Sequence, residues 1–222
     1  SKSLQTIMPA LVVSIDGPDF SGKSTIANLL VEILRRNNKD IIFKRTEVPS
    51  KLTTGLAVKT LRNYSFDSSN NVSSNVFALA YATDHLHHYQ ALIKPLKESK
   101  ENFVVIQERS LLSTYIYQSL IGKTDLKWLE EINKFDKNIP DLTIVLKISL
   151  GEIIKRSQLE KRRFDKFETP QHLEEELKVY YNLPEDLVKD FNVEYIEAND
   201  SPEDIAERCA KRIQKEIEER FK

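Results

Sequence analysis

The feature that most constrains this chain is a glycine-bounded loop between an apolar run and an amphipathic segment. Residues 17–24 read Gly-Pro-Asp-Phe-Ser-Gly-Lys-Ser, which matches the pattern G-x-x-x-x-G-K-[ST]. The apolar run 10–15 precedes this loop, and apolar side chains at helical spacing follow it from Ile26 to Leu34. A strand, a glycine loop and a helix in this order predict a phosphate-binding loop, or P-loop.

Each position of this loop has a separate chemical purpose in nucleotide binding. The glycines allow main-chain N–H groups to turn inward around phosphate oxygens, Lys23 adds a cation, and Ser24 offers a hydroxyl to Mg²⁺. A chance match to the pattern is the alternative, and the flanking strand and helix make it rare. The predicted donor-binding residues are Gly17, Pro18, Asp19, Phe20, Ser21, Gly22, Lys23, Ser24 and Thr25.

Short apolar, β-branched runs alternate along the chain with longer stretches of helical period. The predicted strands are residues 11–15, 41–45, 103–107, 142–148 and 193–197. The predicted helices are residues 24–36, 75–96, 126–135, 151–159, 171–181 and 202–221, with a serine-asparagine loop at 65–74. This alternation predicts a three-layer α/β fold in which helices flank a five-stranded parallel sheet.

Length and charge narrow the possible partners. A chain of 222 residues without a Pro/Gly/Ser-rich linker is expected to form one domain, 1–222. Its net charge of -1 argues against nucleic acid as a partner, and no apolar run approaches the ~20 residues that span a membrane. A lone Cys209 and the lack of a secretory pattern predict a cytoplasmic protein that acts on small molecules.

One short tract resembles the guanine-reading Asn-Lys-x-Asp pattern of GTPases. It consists of Asn133, Lys134, Phe135 and Asp136. The tract follows apolar residues at helical spacing and precedes the strand 142–148, whereas a guanine reader follows a strand. We therefore interpret it as a solvated helix end.

A carboxylate and a guanidinium follow the strand 103–107. They belong to Glu108 and Arg109, at the edge of the sheet where α/β proteins bind ligands. Arg109 can donate two parallel hydrogen bonds to a phosphate, and Glu108 can order Mg²⁺ or its waters. Glu108 alone is also compatible with a motor protein or a large ATPase. Alternatively, Glu108 and Arg109 could form only a surface ion pair, which would contribute under about 1 kcal/mol to stability.

A basic run, Lys-Arg-Arg-Phe-Asp-Lys-Phe-Glu at 161–168, interrupts two predicted helices. By itself such a run is usually a solvated face. Next to a P-loop it is typical of a mobile flap that excludes water and offsets the charge of a transferred phosphoryl group. The sequence therefore predicts a short basic LID at about residues 159–169.

Together these features resemble the thymidylate kinase family of nucleoside monophosphate kinases, from residue 11 to about residue 207. The P-loop carries Asp at its third position, as in the family pattern G-x-D-x-x-G-K-[ST]-T. Further similar segments are residues 45–49, 80–84, 93–95, 140–143 and 165–168. The order of these weak motifs along the chain is more specific than any one of them.

The resemblance implies transfer of the γ-phosphoryl group of MgATP to dTMP, giving dTDP and ADP, by a homodimer packed through helices. It implies that Lys23 and Ser24 hold the ATP phosphates and Mg²⁺. Asp19 is expected to face the sugar 3′-hydroxyl, and the expected grips on the acceptor phosphate are Arg45 and Arg109. The residues expected to contact or line the base and sugar pocket are Tyr81, His85, Ser113, Thr114, Tyr117 and Gln118. The side chains expected over the donor are Arg156, Arg163 and Lys166, and the implied catalytic set is Lys23, Asp19, Arg109, Arg163 and Lys166.

Some of these roles have plain alternatives. Tyr81, expected to stack on the pyrimidine, can instead pack a helix against the sheet, and so can Tyr117. Phe20 stands where some family members have a basic P-loop residue, so the catalytic cations are expected from the flap, as in members of bacterial type. The turn 45–49 departs from the usual Arg-Glu-Pro-Gly-Gly, which weakens the acceptor role of Arg45.

Two departures leave the acceptor open. His85 stands where the family usually has Arg, so the base is not determined, and a zinc site with His87 and His88 lacks a Cys or carboxylate at ligand spacing. Glu108-Arg109-Ser110 replaces Asp-Arg-aromatic and looks like deoxynucleoside kinases, in which a carboxylate deprotonates a sugar 5′-hydroxyl. The alternatives are therefore a deoxynucleoside kinase or a catalytically retired nucleotide-binding homologue.

Overall fold

The computed structural model describes residues 10–159 and 169–221, and its centre is a five-stranded sheet. The strands are β1 Leu11–Asp16, β2 Ile42–Glu47, β3 Phe103–Glu108, β4 Leu142–Lys147 and β5 Val193–Glu197. All pairings are parallel, in the order β2-β3-β1-β4-β5. The predicted α/β class is confirmed, and each predicted strand end lies within two residues of the observed one.

Successive residues of the central strands are mostly apolar, and neighbouring strand residues point to opposite faces of the sheet. Both faces of the sheet are therefore apolar. In β1, Leu11, Val13 and Ile15 join the large core on one face. Val12 points to the other face, where it packs with Ile93. A parallel sheet that is apolar on both faces must be covered on both, and the chain supplies helices for each.

The described residues form ten α-helices. They are α1 Lys23–Asn37, α2 Thr53–Ser65, α3 Ser74–His88, α4 Lys94–Lys97, α5 Leu111–Thr114, α6 Leu126–Ile132, α7 Leu150–Leu159, α8 Pro170–Tyr180, α9 Glu185–Asp190 and α10 Pro202–Phe221. Helices α1 and α10 pack together against one face. Helices α3, α5 and α9 contribute to a second core against the opposite face, where Val145 and Val193 lie.

Two wider, π-helical turns interrupt the regular helices. Tyr89–Ile93 joins α3 to α4, so that the predicted helix 75–96 is one continuous rod with a change of pitch. Tyr115–Ile121 continues α5 and contributes side chains to the cavity described below. Such turns are frequent at functional sites because they shift the phase of the side chains that follow.

Helix α2 was missed by the pattern analysis, which assigned only a loop after it. The predicted loop 65–74 is shorter in the structure, because Ser65 ends α2 and Ser74 begins α3. Gly55 near the start of α2 explains the missing signal, since glycine weakens helix propensity. A Cβ at Gly55 would lie 1.9 Å from the Ser50 carbonyl oxygen, so this contact selects glycine over a better helix former.

The interpretation of residues 133–136 as a solvated helix end holds for Lys134 and Phe135, which are exposed, and is wrong for Asn133 and Asp136. Helix α6 ends at Ile132, and the following Asn133 and Asp136 are buried. Asp136 accepts the Asn138 N–H at 2.9 Å, and the Asn138 amide donates to Gln107 of β3 at 2.8 Å. Burial raises the pKa of Asp136 to about 6. The tract is therefore half buried, and Asn138 just after it joins the connection between α6 and β4 to the sheet.

Candidate active site

The P-loop curves because its backbone adopts conformations that glycine favours. Gly17 has φ +145° and Gly22 has φ +87°. A Cβ on Gly17 would lie 2.9 Å from the Ser21 hydroxyl oxygen and 3.3 Å from the Leu146 carbonyl oxygen. Phe20 between them is also left-handed, with φ +64°. Turns of this kind direct successive N–H groups inward and form an anion-binding concavity at the N-terminus of α1.

Lys23, the first residue of α1, is buried beside this concavity. Its ammonium donates to the Pro18 carbonyl oxygen at 2.8 Å. Burial lowers the pKa of Lys23 to about 8, and the Arg109 guanidinium acts in the same direction against the carboxylates of Asp19 and Asp16. Phosphate oxygens at this position would stabilise the ammonium form, so the site favours an anionic ligand.

Ser24, Glu108 and Arg45 form a chain of contacts across α1, β3 and β2. The Ser24 hydroxyl donates to Glu108 Oε1 at 2.7 Å, and Arg45 donates to Glu108 Oε2 at 2.7 Å. Burial alone would raise the pKa of Glu108, but these two hydrogen bonds, together with the positive charges of Lys23 and Arg45, hold the pKa below its usual value. Glu108 is therefore an ionised carboxylate beside the P-loop hydroxyl.

The residues around Ser24 fit a magnesium ion. Mg²⁺ prefers oxygen ligands and is usually held by one or two protein oxygens together with substrate phosphates and water. The Ser24 hydroxyl and the Glu108 carboxylate supply two such oxygens at the mouth of the P-loop. Within the described ranges, no three His, Cys, Asp or Glu side chains are grouped as a metal site.

Arg109, the residue directly after β3, is fixed by contacts of both its backbone and its guanidinium. Its backbone is left-handed, with φ +64°, and its N–H donates to the Ile15 carbonyl oxygen at 2.9 Å. One arm of the guanidinium donates to Asp19 of the P-loop at 2.9 Å. The guanidinium also lies over the Tyr117 ring, 5.2 Å from its centroid. These contacts hold a cation at the boundary between the P-loop and the neighbouring cavity.

A cavity of about 480 Å³ opens from Asp19 and Arg109, a volume in the usual range for small-molecule sites. The predicted substrate residues that line it are Asp19, Tyr81, His85, Arg109, Ser113, Thr114, Tyr117 and Gln118. Phe77, Val48 and Pro49 contribute apolar walls that the sequence analysis did not assign. The structure thus gathers most of the predicted pocket residues around one space.

The remaining predicted residues lie elsewhere. Arg45 is absent from the lining and is paired with Glu108 instead, which weakens its expected grip on the acceptor phosphate. Arg156 of α7 donates to the Ser21 carbonyl oxygen at 3.3 Å, so it lies against the P-loop as expected for a residue near the donor. Arg163 and Lys166, with the predicted LID, lie outside the described residues.

His85 is a neutral, buried group at the wall of the cavity. Burial lowers its pKa to about 4, and the neighbouring His88 acts in the same direction. Its Nε2 lies 2.8 Å from the Thr114 hydroxyl oxygen. Tyr81 is half-buried one helical turn away, with its ring centroid 6.3 Å from that of His85. This wall is therefore polar and aromatic, without a formal charge on His85 near neutral pH.

Two buried carboxylates of the site escaped the sequence analysis. Glu176 of α8 lines the cavity and accepts the Asp19 N–H at 3.3 Å. Burial raises its pKa to about 8, and the Asp19 carboxylate acts in the same direction. Asp16, the last residue of β1, is completely buried. The only sequence signal for Asp16 is that a carboxylate ends an apolar strand. Glu176 has no sequence signal, because it is one of several glutamates in the same helix.

Comparison with known proteins agrees with this geometry. The family model described as thymidylate kinase matches residues 15–209, which is most of the chain. The chain belongs to the thymidylate kinase family. Among curated relatives of this family, a thymidylate kinase of Finegoldia magna is 28% identical over 207 residues, covering 90% of this chain and 95% of its own.

Two further comparisons extend over nearly the full length. A probable thymidylate kinase of Thermococcus gammatolerans is 31% identical over 216 residues, covering 93% of this chain and 97% of its own. The crystal structure of a thymidylate kinase from Ehrlichia chaffeensis has a TM-score of 0.66 at 18% identity and covers 93% of this chain and 99% of its own. This structural likeness supports the fold. In the described part of the chain, no helix combines the length and apolarity needed to cross a membrane.

Proposed function

We propose that this member of the thymidylate kinase family transfers the γ-phosphoryl group of MgATP to dTMP, giving ADP and dTDP. The observation that carries the proposal is the ion pair between Asp19 and Arg109, 2.9 Å apart. Asp19 belongs to the P-loop, yet both residues line the 480 Å³ cavity. A nucleotide in the P-loop and a second molecule in the cavity would therefore meet at this pair.

The chemistry of this transfer suits the groups that the site contains. An acceptor phosphate is already ionised, so alignment and screening of negative charge matter more than a strong base. Lys23 and the P-loop N–H groups would hold the donor phosphates, while Arg109 would hold the acceptor phosphate through its forked donors. When bound, Mg²⁺ would neutralise charge on the donor phosphates beside Ser24 and Glu108.

The far part of the cavity suits a pyrimidine nucleoside. Tyr81 and Phe77 offer aromatic surface to a flat ring. The neutral pair of His85 and Thr114, together with Gln118, offers hydrogen-bonding groups without adding a cation. An uncharged base with polar edges is the ligand that such a wall would accept.

The state of Glu108 argues against the deoxynucleoside kinase alternative. A general base for a sugar hydroxyl needs a pKa near the working pH and a free oxygen. Glu108 has a lowered pKa, and both of its oxygens accept hydrogen bonds, from Ser24 and Arg45. Glu108 is better suited to order Mg²⁺ than to remove a proton.

We further propose that the basic flap, with Arg163 and Lys166, supplies cations to the transferred phosphoryl group, and that Arg156 orients the donor. The whole chain would then act as one kinase domain with a short LID. These roles rest on the family resemblance and on the position of Arg156 against Ser21.

A homodimer is the expected assembly, and exposed apolar side chains support it. Leu56 of α2 and Val76 and Leu79 of α3 are each about half exposed. Burying such side chains against a second copy would be favourable at about 25 cal/mol per Å². Sedimentation of the wild-type chain and of Leu79→Glu would test this, and a wild-type monomer at micromolar concentration would contradict it.

A coupled assay of ADP production with a panel of acceptors tests the proposed reaction. The panel contains dTMP, dUMP, dCMP, thymidine and deoxycytidine, each with MgATP. Preferred turnover of dTMP is the expected result. Turnover of the unphosphorylated nucleosides alone would show a deoxynucleoside kinase, and nucleotide binding without turnover of any acceptor would show a retired homologue.

A further inference from the structure

Asp16 accepts hydrogen bonds from four residues of the site, although it lies outside the cavity lining. It is completely buried and accepts the Gly17 N–H at 2.8 Å and the Tyr180 hydroxyl at 2.8 Å. It also accepts the Ser113 hydroxyl at 2.9 Å and an arm of Arg109 at 3.4 Å. One carboxylate therefore contacts the first residue of the P-loop and the predicted acceptor-binding arginine.

We propose that Asp16 is a positioning residue that holds Arg109 against the P-loop and thereby aligns the acceptor phosphate with the donor. The inference rests on the proposed function, because it concerns the acceptor role of Arg109. Strand geometry explains the location of Asp16, since alternation along β1 turns it to the same face as Val12. That face carries α5, and α5 includes Ser113.

Arg109 has two carboxylate partners, which differ in access. Asp19 lines the cavity and has a side chain 21% exposed, so an entering phosphate competes with it directly for the guanidinium. Asp16 has a side chain 0% exposed and does not line the cavity, so it stays on Arg109 when the acceptor binds. Asp16 is thus the counterion that keeps the guanidinium oriented in both states.

Two hydroxyl groups transmit this orientation. Tyr180 and Ser113 each donate to Asp16 and each accept from Arg109, at 2.9 Å and 3.2 Å respectively. A hydroxyl has one proton, so donating it to the carboxylate leaves only lone pairs toward the guanidinium. The negative charge of Asp16 therefore sets the direction of both bridges and makes them acceptors for Arg109.

Asp16→Asn tests this polarity with little change in shape. Asn keeps an oxygen for the Gly17 N–H, but its amide nitrogen donates toward Ser113 and turns that hydroxyl proton toward the Arg109 cation. We expect kcat/KM for dTMP to fall about 10- to 100-fold, through both KM and kcat, with KM for ATP changed by less than about twofold. Tyr180→Phe removes one bridge and should act in the same direction, by about 3- to 10-fold.

Asp141→Asn is the matched control. Asp141 also accepts hydrogen bonds from a backbone N–H of β1, that of Val12 at 2.8 Å, and from an arginine, Arg220 at 3.0 Å. It lies at the amino-terminal end of the strands, whereas Asp16 lies at their carboxyl-terminal end. Asp141→Asn should lower Tm without changing the KM for dTMP or the KM for ATP. The proposal fails if Asp16→Asn, or Tyr180→Phe where Asp16→Asn does not fold, lowers Tm but leaves kcat/KM for dTMP at the wild-type value. If the wild-type chain does not use dTMP, the proposed function fails by itself, and the same variants are compared with the acceptor that the panel identifies.

Discussion

The P-loop and the neighbouring cavity meet at Arg109, yet they are built from different material. The P-loop is one continuous segment whose main chain makes the concavity, with left-handed backbone at Gly17, Phe20 and Gly22. The cavity is assembled from side chains of α2, α3, α5 and α8, with a cluster of buried polar groups at one end. A site made by the main chain depends on few side chains. A site made by side chains from several helices also depends on the buried contacts that hold those side chains in place.

This difference predicts how each region responds to substitution. Lys23 is the P-loop side chain that brings a positive charge to the donor phosphates, so its loss should be severe and local. Arg109 depends on partners from several elements, so variants around it should produce graded losses.

Lys23→Ala should produce the largest loss. Removing the ammonium beside the donor phosphates should lower kcat by about 10²- to 10³-fold or more. The fold should remain intact, because a buried cation with a pKa lowered to about 8 contributes little to the core. Steady-state kinetics and the unfolding temperature measure both effects, with exposed Lys39→Ala as the control. A large drop in Tm would mean that Lys23 stabilises the loop itself.

Arg109→Lys should produce an intermediate, acceptor-specific loss. Lysine keeps the charge but lacks the fork that reaches Asp19 and a phosphate together, so kcat/KM for dTMP should fall about 10- to 100-fold. Arg45→Lys is the comparison, because Arg45 pairs with Glu108 outside the cavity. Arg45→Lys should lower kcat/KM for dTMP by a smaller factor. Equal losses in the two variants would indicate that Arg45 also binds the acceptor phosphate.

Glu176→Gln should have the smallest effect, seen as a change in stability with pH. The pKa of Glu176 is raised from 4.5 to about 8, so the fold favours the protonated carboxyl. That contribution is complete below the unfolded pKa and is lost as the pH rises toward the folded one. As the pH rises from about 5 to about 8.5, the Tm of Glu176→Gln should therefore rise relative to that of the wild type, since each kcal/mol that the wild type loses corresponds to about 2–4 °C in a chain of this size. Exposed Glu174→Gln is the control, and a parallel pH dependence of the two variants would contradict the raised pKa.

The sequence predicted the sheet and the P-loop well because both depend on local patterns. Short, nearly continuous apolar runs define the central strands, and glycines at fixed spacing define the loop. It did not predict α2, whose Gly55 is selected by contact with Ser50, or the burial of Asp136 in the connection between α6 and β4. Those features depend on close approach and burial in the folded chain, which the spacing of apolar residues does not report.

The candidate site shows the same division. The family resemblance supplied most of the cavity residues, including Tyr81 and Gln118, which no local pattern would have selected. Glu176 and Asp16 were missed because a buried carboxylate and a surface carboxylate look alike in sequence. Only the folded chain shows that one of them contacts the Asp19 N–H and the other the Arg109 guanidinium.

The π-helical turn at Tyr115–Ile121 has a consequence for how this pocket can change over evolutionary time. A π turn contains about one residue more than an α turn, so deleting a single residue before Gln118 would restore α-helical pitch, move the side chains that follow within the turn by about 100° around the helix axis, and leave the chain after the turn in place. Gln118 would then leave the cavity wall while the sheet and the P-loop kept their structure. A lineage could acquire a differently lined acceptor pocket through one codon, with its donor machinery untouched.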